Sequence, residues 1–565
     1  MTRDAQRFQP LRGRVLNAQA LAEVQQQLAH LPQQRDLLLE YLHCLNDAQG
    51  SLRLDQLHAL AAWLNIPAVE VLETAAFYAH FQIIETDATP PPKLKIRVCE
   101  SLSCQLAGAE ALYQGLQQGL DLSQVQLLKA PCVGRCAEAP VAIVGQFPVA
   151  KASVQSVVQH WLAGDCQPEH LSWPSCETYQ QQGGYAVLKR VRTGALRLDQ
   201  VIDQLNHAGL RGLGGAGFPT ARKWKLVAEQ PGPRYLVVNA DEGEPGTFKD
   251  RYYLQRQPHQ CLEGMLIAAA CIAAEAVYIY LRDEYPALHQ VLTQAIAELE
   301  TEGWIAPGYI QLRRGAGAYI CGEESALIES LEGKPGKPRQ RPPYVAQRGL
   351  FQRPTLVNNL ETLYWVAELL RPGSETFTQA GRHGRQGLRS FSVSGRVAYP
   401  GVHLAPAGIT LRELLDEYCG GMLPGHQLLA YLPGGASGGI LGAEHADLPL
   451  DFDTLQAYGC FIGSAAIIVL SDQDDLREVL LNLMAFFTEE SCGQCTPCRL
   501  GTEQLLAHLR QDRWDRDWLL KLSQVMQDAS ICGLGQAAPN GLLSVLKFLP
   551  HALPERIQLL EVERG

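Results

Sequence analysis

No stretch of this sequence reaches the roughly 18 uninterrupted apolar residues that a membrane-spanning helix needs. The most apolar segment, 265–281, is broken by Glu275 and is expected to be a buried helix followed by a strand. The first residues, Met1-Thr-Arg-Asp-Ala-Gln-Arg, lack the apolar core of a secretory signal, so a cytoplasmic protein with no direct membrane span is expected. A basic stripe suited to a phosphate backbone is also missing. With 48 Lys and Arg against 59 Asp and Glu, the net charge is −11, which argues against nucleic acid as a partner. There is no repeat and no low-complexity tract. No Ser-His-Asp or Cys-His arrangement of a hydrolase stands out, and the 15 histidines are scattered, so none is assigned to catalysis.

What the chain does have is length and cysteine. Its 565 residues suggest three to five domains at roughly 100–200 residues each. Residues 1–25 read as a polar tail, and 32–85 as three helices (35–45, 54–64 and 67–81) from their apolar spacing. After Pro90-Pro91-Pro92 come a strand at 94–98, a helix at 107–118 and strands at 125–128 and 141–144, the pattern of a small α/β domain. Residues 164–185 read as a polar linker. A larger α/β domain follows to about 385, with strands at 235–239, 277–281 and 310–313. Short strands at 390–395 and 428–432, with Gly-rich turns, suggest a small β-rich domain, and helical patterning returns from Asp474.

The 16 cysteines are not expected to form disulfides in a cytosolic chain. Eight fall into two sets. Cys492, Cys495 and Cys498 make a C-x₂-C-x₂-C run, and Cys532 follows after 33 intervening residues. Three closely spaced thiolates with a distant fourth suit a [4Fe–4S] cubane. Zinc is the competing reading, but zinc sites usually pair two C-x₂₋₄-C units, and the second is absent here. The other set, Cys99-x₄-Cys104 with Cys132-x₃-Cys136, suits a [2Fe–2S] rhomb with two ligands per iron, which is the favoured reading, and also suits structural zinc. The remaining eight (Cys44, Cys166, Cys176, Cys261, Cys271, Cys321, Cys419 and Cys460) lack ligand spacing and read as small buried hydrophobes.

Arg211-Gly212-Leu-Gly214-Gly215-Ala-Gly217-Phe218 contains G-x-G-x-x-G. A Rossmann loop should follow a strand, whereas 198–210 reads as helix, so the Rossmann context fails. Glycines still let backbone N–H groups approach a phosphate, and Lys223 could add charge; a plain Gly-rich turn is the alternative. Asn239-Ala-Asp241-Glu242-Gly-Glu244 directly follows a strand, where α/β folds place ligands, or it is a solvated acidic turn. A second glycine loop, from Gly315 to Gly322, leads into Glu323 and Glu324, which could also be ordinary helix-start acids. Asn358-Asn359 could simply cap a helix.

Taken together, RGLGGAGFPT, NADEGEPGTFKDR, GAGAYICGEESALIESLEG, NNLET and ESCGQCTPCR with ICGLG resemble, in one order, the 51-kDa-type flavoprotein subunit of respiratory complex I. ETAAFYAHF with the Cys99–Cys136 set resembles its 24-kDa-type [2Fe–2S] partner, here fused into the same chain. Such fusions occur in NAD-reducing hydrogenases and in NAD-dependent formate dehydrogenases. RVCESLSCQLAGAEAL, YLPGGASGGILGA and SDQDDLREVLLNLMAFF look most like the formate dehydrogenase beta subunit.

The resemblance implies a multidomain α/β fold: an N-terminal helical segment (1–88), a thioredoxin-like [2Fe–2S] domain (89–165), a Rossmann-like FMN/NAD-binding domain (166–385), a β-grasp-like domain (386–455) and a helical [4Fe–4S] bundle (456–565). It implies that Gly212, Gly214, Lys223, Asn239, Asp241, Gly322, Glu324, Asn358 and Asn359 hold FMN, with Gly215, Gly217, Glu242 and Glu323 beside them. Phe218, Glu244, Arg341 and Tyr344 would lie along NAD(H). Glu244 would position the nicotinamide and discourage the extra charge of NADP⁺. The implied activity is diaphorase chemistry between NAD(H), FMN and iron–sulfur clusters. The implied partner is a catalytic alpha subunit with molybdopterin, molybdenum or tungsten, and further clusters. Leu226, where complex I usually has Phe, and Arg341-Pro-Pro-Tyr344-Val345, where it has Lys-Pro-Pro-Phe-Pro, depart from the family and put NAD(H) affinity in question.

Overall fold

A computed structural model describes residues 15–560, and of Glu375 and Thr376 only the backbone. The expected polar tail falls partly outside these residues. Its described part contains a helix, Ala18–Gln27, started by Asn17, whose side chain accepts from the N–H groups of Gln19 and Ala20. Ala20, Val24 and Leu28 form its buried stripe among glutamines. The next three helices are Leu38–Gln49, Leu54–Leu64 and Ala68–Phe77. Gly50 and Asn65 end two of them in the left-handed conformation.

The thioredoxin-like region is a four-stranded sheet, in the order Gln126–Ala130, Lys95–Cys99, Ala142–Val144, Phe147–Val149, with helices Ala109–Gly119 and Val154–Ala163 packed on it. The first pair of strands is parallel and the other two pairs are antiparallel. The linker at 164–185 carries a short helix, Cys176–Gln181.

The central sheet is parallel throughout, ordered Thr355–Asn359, Arg234–Ala240, Ala274–Leu281, Ile310–Arg314. Its middle strands are covered on both faces, which is why they read as nearly continuous apolar runs. Strand order reverses between Thr355–Asn359 and Arg234–Ala240, so the crevice at their carboxyl ends is the switch point where such sheets bind ligands. Asn359 and Asn239 are register partners there. Helix Pro258–Cys271 lies almost wholly buried against helix Leu360–Leu369. Gly264 permits that closeness, since a Cβ would collide with the Leu363 carbonyl oxygen.

The β-rich region is a five-stranded mixed sheet, ordered Gly401–Pro406, Leu388–Gly395, Ala466–Ser471, Leu428–Leu432, Leu441–Gly442. Its central strand, Ala466–Ser471, lies past the expected limit at 455. That boundary cuts the sheet, because a strand late in the chain inserts between two earlier ones. Helices Leu476–Glu490, Thr496–Leu509, Arg516–Ala529, Gly533–Ala537 and Asn540–Phe548 follow, with a small parallel strand pair, Arg513–Asp515 and Gln558–Leu560. Among the described residues, no helix is long and apolar enough to cross a membrane.

Candidate functional site

The glycine loop joins two helices, Leu198–His207 and Thr220–Ala228. It is closed by an antiparallel bridge between Arg211 and Pro219 and by the Gly212 N–H on the Phe218 carbonyl (2.8 Å). Leu213 N–H donates to Thr362 Oγ1 (2.9 Å), which pins the loop onto the turn after Asn359. Gly217 has φ +64°, and a Cβ there would stand 2.6 Å from the Phe452 ring; a Cβ on Gly214 would stand 3.0 Å from Asn359. A Cβ on Gly215 would meet nothing.

At the end of the neighbouring strand, Asn239 Nδ2 donates to the Gly322 carbonyl (2.8 Å), which ties that strand end to the second glycine loop. Burial pushes the Asp241 carboxyl well above its usual range, and its Oδ2 has no hydrogen-bond partner. Lys223 Nζ donates to Glu324 Oε2 (3.0 Å). Burial opposes the Glu324 charge, but Lys223 and then Arg341 hold its carboxyl below the usual range.

Glu244 accepts from the Tyr319 hydroxyl, from Ser437 N–H (2.8 Å) and from Ser437 Oγ (3.2 Å). Phe218 and Tyr344 are 40% and 55% exposed, so both rings are available for stacking. Leu226, where the resemblance expects an aromatic ring, is exposed as well.

Four further predicted cofactor contacts are likewise engaged within the protein. Glu242 is buried and accepts from Asp250 N–H (2.7 Å), Arg251 N–H (3.1 Å) and Tyr285 Oη (2.8 Å), so it caps helix Lys249–Arg256. Glu323 caps helix Glu324–Leu331 through the N–H groups of Ser325 and Ala326 and also meets Arg341. Asn358 Oδ1 accepts from Trp224 Nε1 (2.9 Å). Asn359 caps helix Leu360–Leu369 and donates to Asp250 Oδ2 (2.7 Å). Sequence reasoning missed Tyr319 and Ser437, and also a buried trio in which Lys249 Nζ lies 2.9 Å from both Asp250 and Glu361. Only their membership in the quoted segments or in NNLET pointed to them.

Both cysteine sets assemble. Cys492, Cys495, Cys498 and Cys532 line one small cavity with Ile320, Pro338 and Leu534. Burial raises the Cys498 thiol to about 11 and the Cys532 thiol to about 12, so metal binding there must release protons. In the other set, Cys132 Sγ and Cys136 Sγ are 3.4 Å apart, suited to one iron, and Cys99 lies in contact with Cys104 and Cys132. One zinc ion, with Zn–S bonds of about 2.3 Å, would draw all four sulfurs to within roughly 3.8 Å of one another. Among the described residues, neither set brings three thiols within 4.8 Å of each other. Both sets therefore fit a larger, multi-iron group better than a single zinc ion. The glycine cradle with its open side and the orphaned Asp241 oxygen likewise fit a phosphate-bearing flavin. Of the eight other cysteines, Cys176, Cys261, Cys321, Cys419 and Cys460 are buried, and Cys44, Cys166 and Cys271 are half-buried.

Comparisons with known proteins agree with this geometry. Residues 205–368 match the Nuo51 FMN-binding domain, 24–161 the thioredoxin-like [2Fe–2S] ferredoxin and 478–556 the NADH-ubiquinone oxidoreductase-F iron–sulfur binding region. The chain is 41% identical over 402 residues to an F-type subunit of the NADH-quinone oxidoreductase of Rhizobium meliloti, covering 68% of this chain and 94% of that protein. It is 40% identical over 391 residues to the corresponding F-type subunit of Aquifex aeolicus, covering 67% and 90%. A chain of an NAD⁺-reducing [NiFe]-hydrogenase in the air-oxidised state superposes with TM-score 0.82 at 31% identity, covering 94% of this chain and 95% of that one.

The fold and its cofactor regions define an NAD(H)-handling flavoprotein that carries FMN, one [2Fe–2S] cluster and one [4Fe–4S] cluster. The chain belongs to the family of F-type subunits of NADH-quinone oxidoreductases, with a thioredoxin-like [2Fe–2S] region in the same polypeptide.

Proposed function

We propose that this chain is the diaphorase subunit of an NAD-dependent formate dehydrogenase. It would reduce NAD⁺ with electrons from formate oxidised in a partner holding molybdopterin, with molybdenum or tungsten, and further iron–sulfur clusters. The observation that carries the NAD(H) role is the position of Tyr319. Its hydroxyl reaches Glu244, and the adjacent Ile320 lines the cavity of the Cys492–Cys532 set. One short segment thus connects the acid expected to face nicotinamide with the cluster expected to receive its electrons.

FMN, when bound, exchanges a hydride's two electrons with NAD(H) and passes them singly, as iron–sulfur clusters require. The protein's share is position and field. With Gly212 closing the loop on Phe218, Gly214, Gly215 and Gly217 leave backbone N–H groups open to a phosphate, and Lys223, steadied by Glu324, adds positive charge. Asn239 and Gly322 brace the crevice, and the free Asp241 oxygen can accept a hydrogen bond from the flavin. Glu244 positions the nicotinamide and repels an additional phosphate. Phe218, Arg341 and Tyr344 border the path of the dinucleotide. Glu242, Glu323, Asn358 and Asn359 act one step back, holding the elements that carry these groups.

Formate as the source is supported by the three segments most similar to formate dehydrogenase beta subunits and by the complete Cys99/Cys104/Cys132/Cys136 set. A hydrogenase diaphorase is the second reading, favoured by the near full-length likeness to the [NiFe]-hydrogenase chain. The deciding experiment is NAD⁺ reduction by the native complex, purified through a tag on this chain, with formate in one cuvette and hydrogen in the other. NADH formed with formate alone supports the first reading. NADH formed with hydrogen overturns it in favour of the second.

A further inference from the structure

A cleft of about 1710 Å³ lies away from the glycine loop. It opens between the N-terminal helices, the thioredoxin-like region and the C-terminal helices, and Asp47, His80, Asp283 and Arg314 all line it. His43 and Asp47 sit one turn apart on one face of helix Leu38–Gln49. His80 follows helix Ala68–Phe77. One ring nitrogen from each histidine and a carboxylate oxygen of Asp47 all lie within 4.8 Å of one another, and the two rings are 4.9 Å apart.

Each imidazole has one nitrogen already held. His43 Nε2 is 2.8 Å from the Gly315 carbonyl oxygen, and His80 Nδ1 is 2.7 Å from Asp283 Oδ2. A carbonyl or carboxylate oxygen only accepts, so those nitrogens carry the hydrogens. That leaves His43 Nδ1 as a lone-pair donor; it is buried and has no hydrogen-bond partner. Among the described residues, His80 Nε2 has only the Asn46 amide, at 3.4 Å. Metal-binding histidines are held in this way, their far N–H on a carboxylate or a backbone carbonyl. Arg314 occupies Oδ2 of Asp47 at 2.6 Å, so an ion would take Oδ1.

We infer that His43, Asp47 and His80 form a binding site for one zinc-type divalent ion, separate from both cysteine sets. Two imidazoles and one carboxylate form a three-ligand zinc donor set that leaves a coordination position open, here toward the cleft. All three ligands come from the N-terminal helical segment. Their supports, Asp283 and Gly315, follow two strands of the parallel sheet. The bound ion clips that segment onto the FMN/NAD-binding domain.

The test is metal analysis of the tagged native complex after equilibration with Zn²⁺ and removal of excess, comparing wild type with His43→Gln, Asp47→Asn and Asp283→Asn. Wild type should hold one zinc per chain more than His43→Gln, with flavin and iron–sulfur absorbance equal in both. Asp283→Asn keeps all three ligands and should weaken zinc binding by about 10- to 100-fold. Equal zinc in wild type and the variants overturns the site. If His43→Gln fails to fold, as loss of flavin would report, the more exposed Asp47→Asn decides: retention of wild-type zinc rejects the site, and loss supports it.

Discussion

Tyr319 donates its hydroxyl to the Glu244 carboxylate across 75 residues of chain, and Ser437 reaches the same carboxylate from the β-rich sheet. Burial pushes the Glu244 carboxyl up, and these donors pull it back. A hydrogen bond to a charged group contributes about 1.5–3 kcal/mol. Tyr319→Phe is therefore expected to raise the KM for NADH by about tenfold or more. NADH–ferricyanide kinetics give the number, and an unchanged KM would show that the tyrosine does not set the carboxylate's position.

Glu244→Gln keeps the shape and removes the charge. NADPH should become a measurable electron donor, and the ratio of kcat/KM for NADH over NADPH should fall. A variant that still refuses NADPH, with NADH kinetics intact, would remove the discriminating role assigned to this acid.

Lys249 is enclosed with Asp250 and Glu361, each 2.9 Å away, and Trp365 Nε1 donates to Glu361 (3.1 Å). Lys249→Met leaves two buried carboxylates facing each other without a cation. Breaking a buried pair in this way costs about 3–5 kcal/mol. A sharply lower thermal midpoint with loss of flavin is expected; a midpoint within a degree or so of wild type would contradict the account.

Burial raises the Glu242 carboxyl from its ordinary 4.5 to about 7. Between these values the folded protein holds a proton that the unfolded chain has released. This contribution to stability is therefore full below 4.5 and is lost as pH rises through about 7. Glu242→Gln cannot titrate, so thermal midpoints of the wild type should fall relative to those of the variant across that window. Parallel curves would show that Glu242 does not titrate there.

Cys532→Ser removes one thiolate from the cavity shared with Cys492, Cys495 and Cys498. The low-temperature EPR signal of the [4Fe–4S] cluster should vanish, while that of the [2Fe–2S] cluster remains. Cys104→Ser should do the reverse. If either variant lost both signals while keeping its flavin, the two sets could not be independent cluster sites.

Much of this was legible in the sequence because covalent spacing carries it. Cysteine sets separated by two to four residues announce a metal-binding role before folding, and the run of glycines around Gly217 marks a tight loop. Three of the four parallel strands were legible; Thr355–Asn359 was not. What stayed hidden depends on tertiary neighbours. An acid before a helix reads the same whether it binds a ligand or caps the helix, so the capping contacts of Glu242 and Glu323 stayed hidden. The helix Ala18–Gln27 was masked by glutamines that outnumber its buried stripe. Strand Ala466–Ser471 belongs to a sheet whose other members all precede it. His43 and His80 looked scattered because only packing brings them together.

Arg251 joins the thioredoxin-like region to the flavin domain through Gly134 O (3.0 Å) and Glu138 Oε1 (3.1 Å), and Arg282 reaches the Cys132 carbonyl. The segment 164–185 links the same two bodies through the backbone. Their docking is therefore unimolecular, at an effective concentration on the order of millimolar for a short tether. Each contact can be weak, open and reclose without the partners diffusing apart. Dilution, which would separate two independent polypeptides, leaves this junction and its pair of redox centres together.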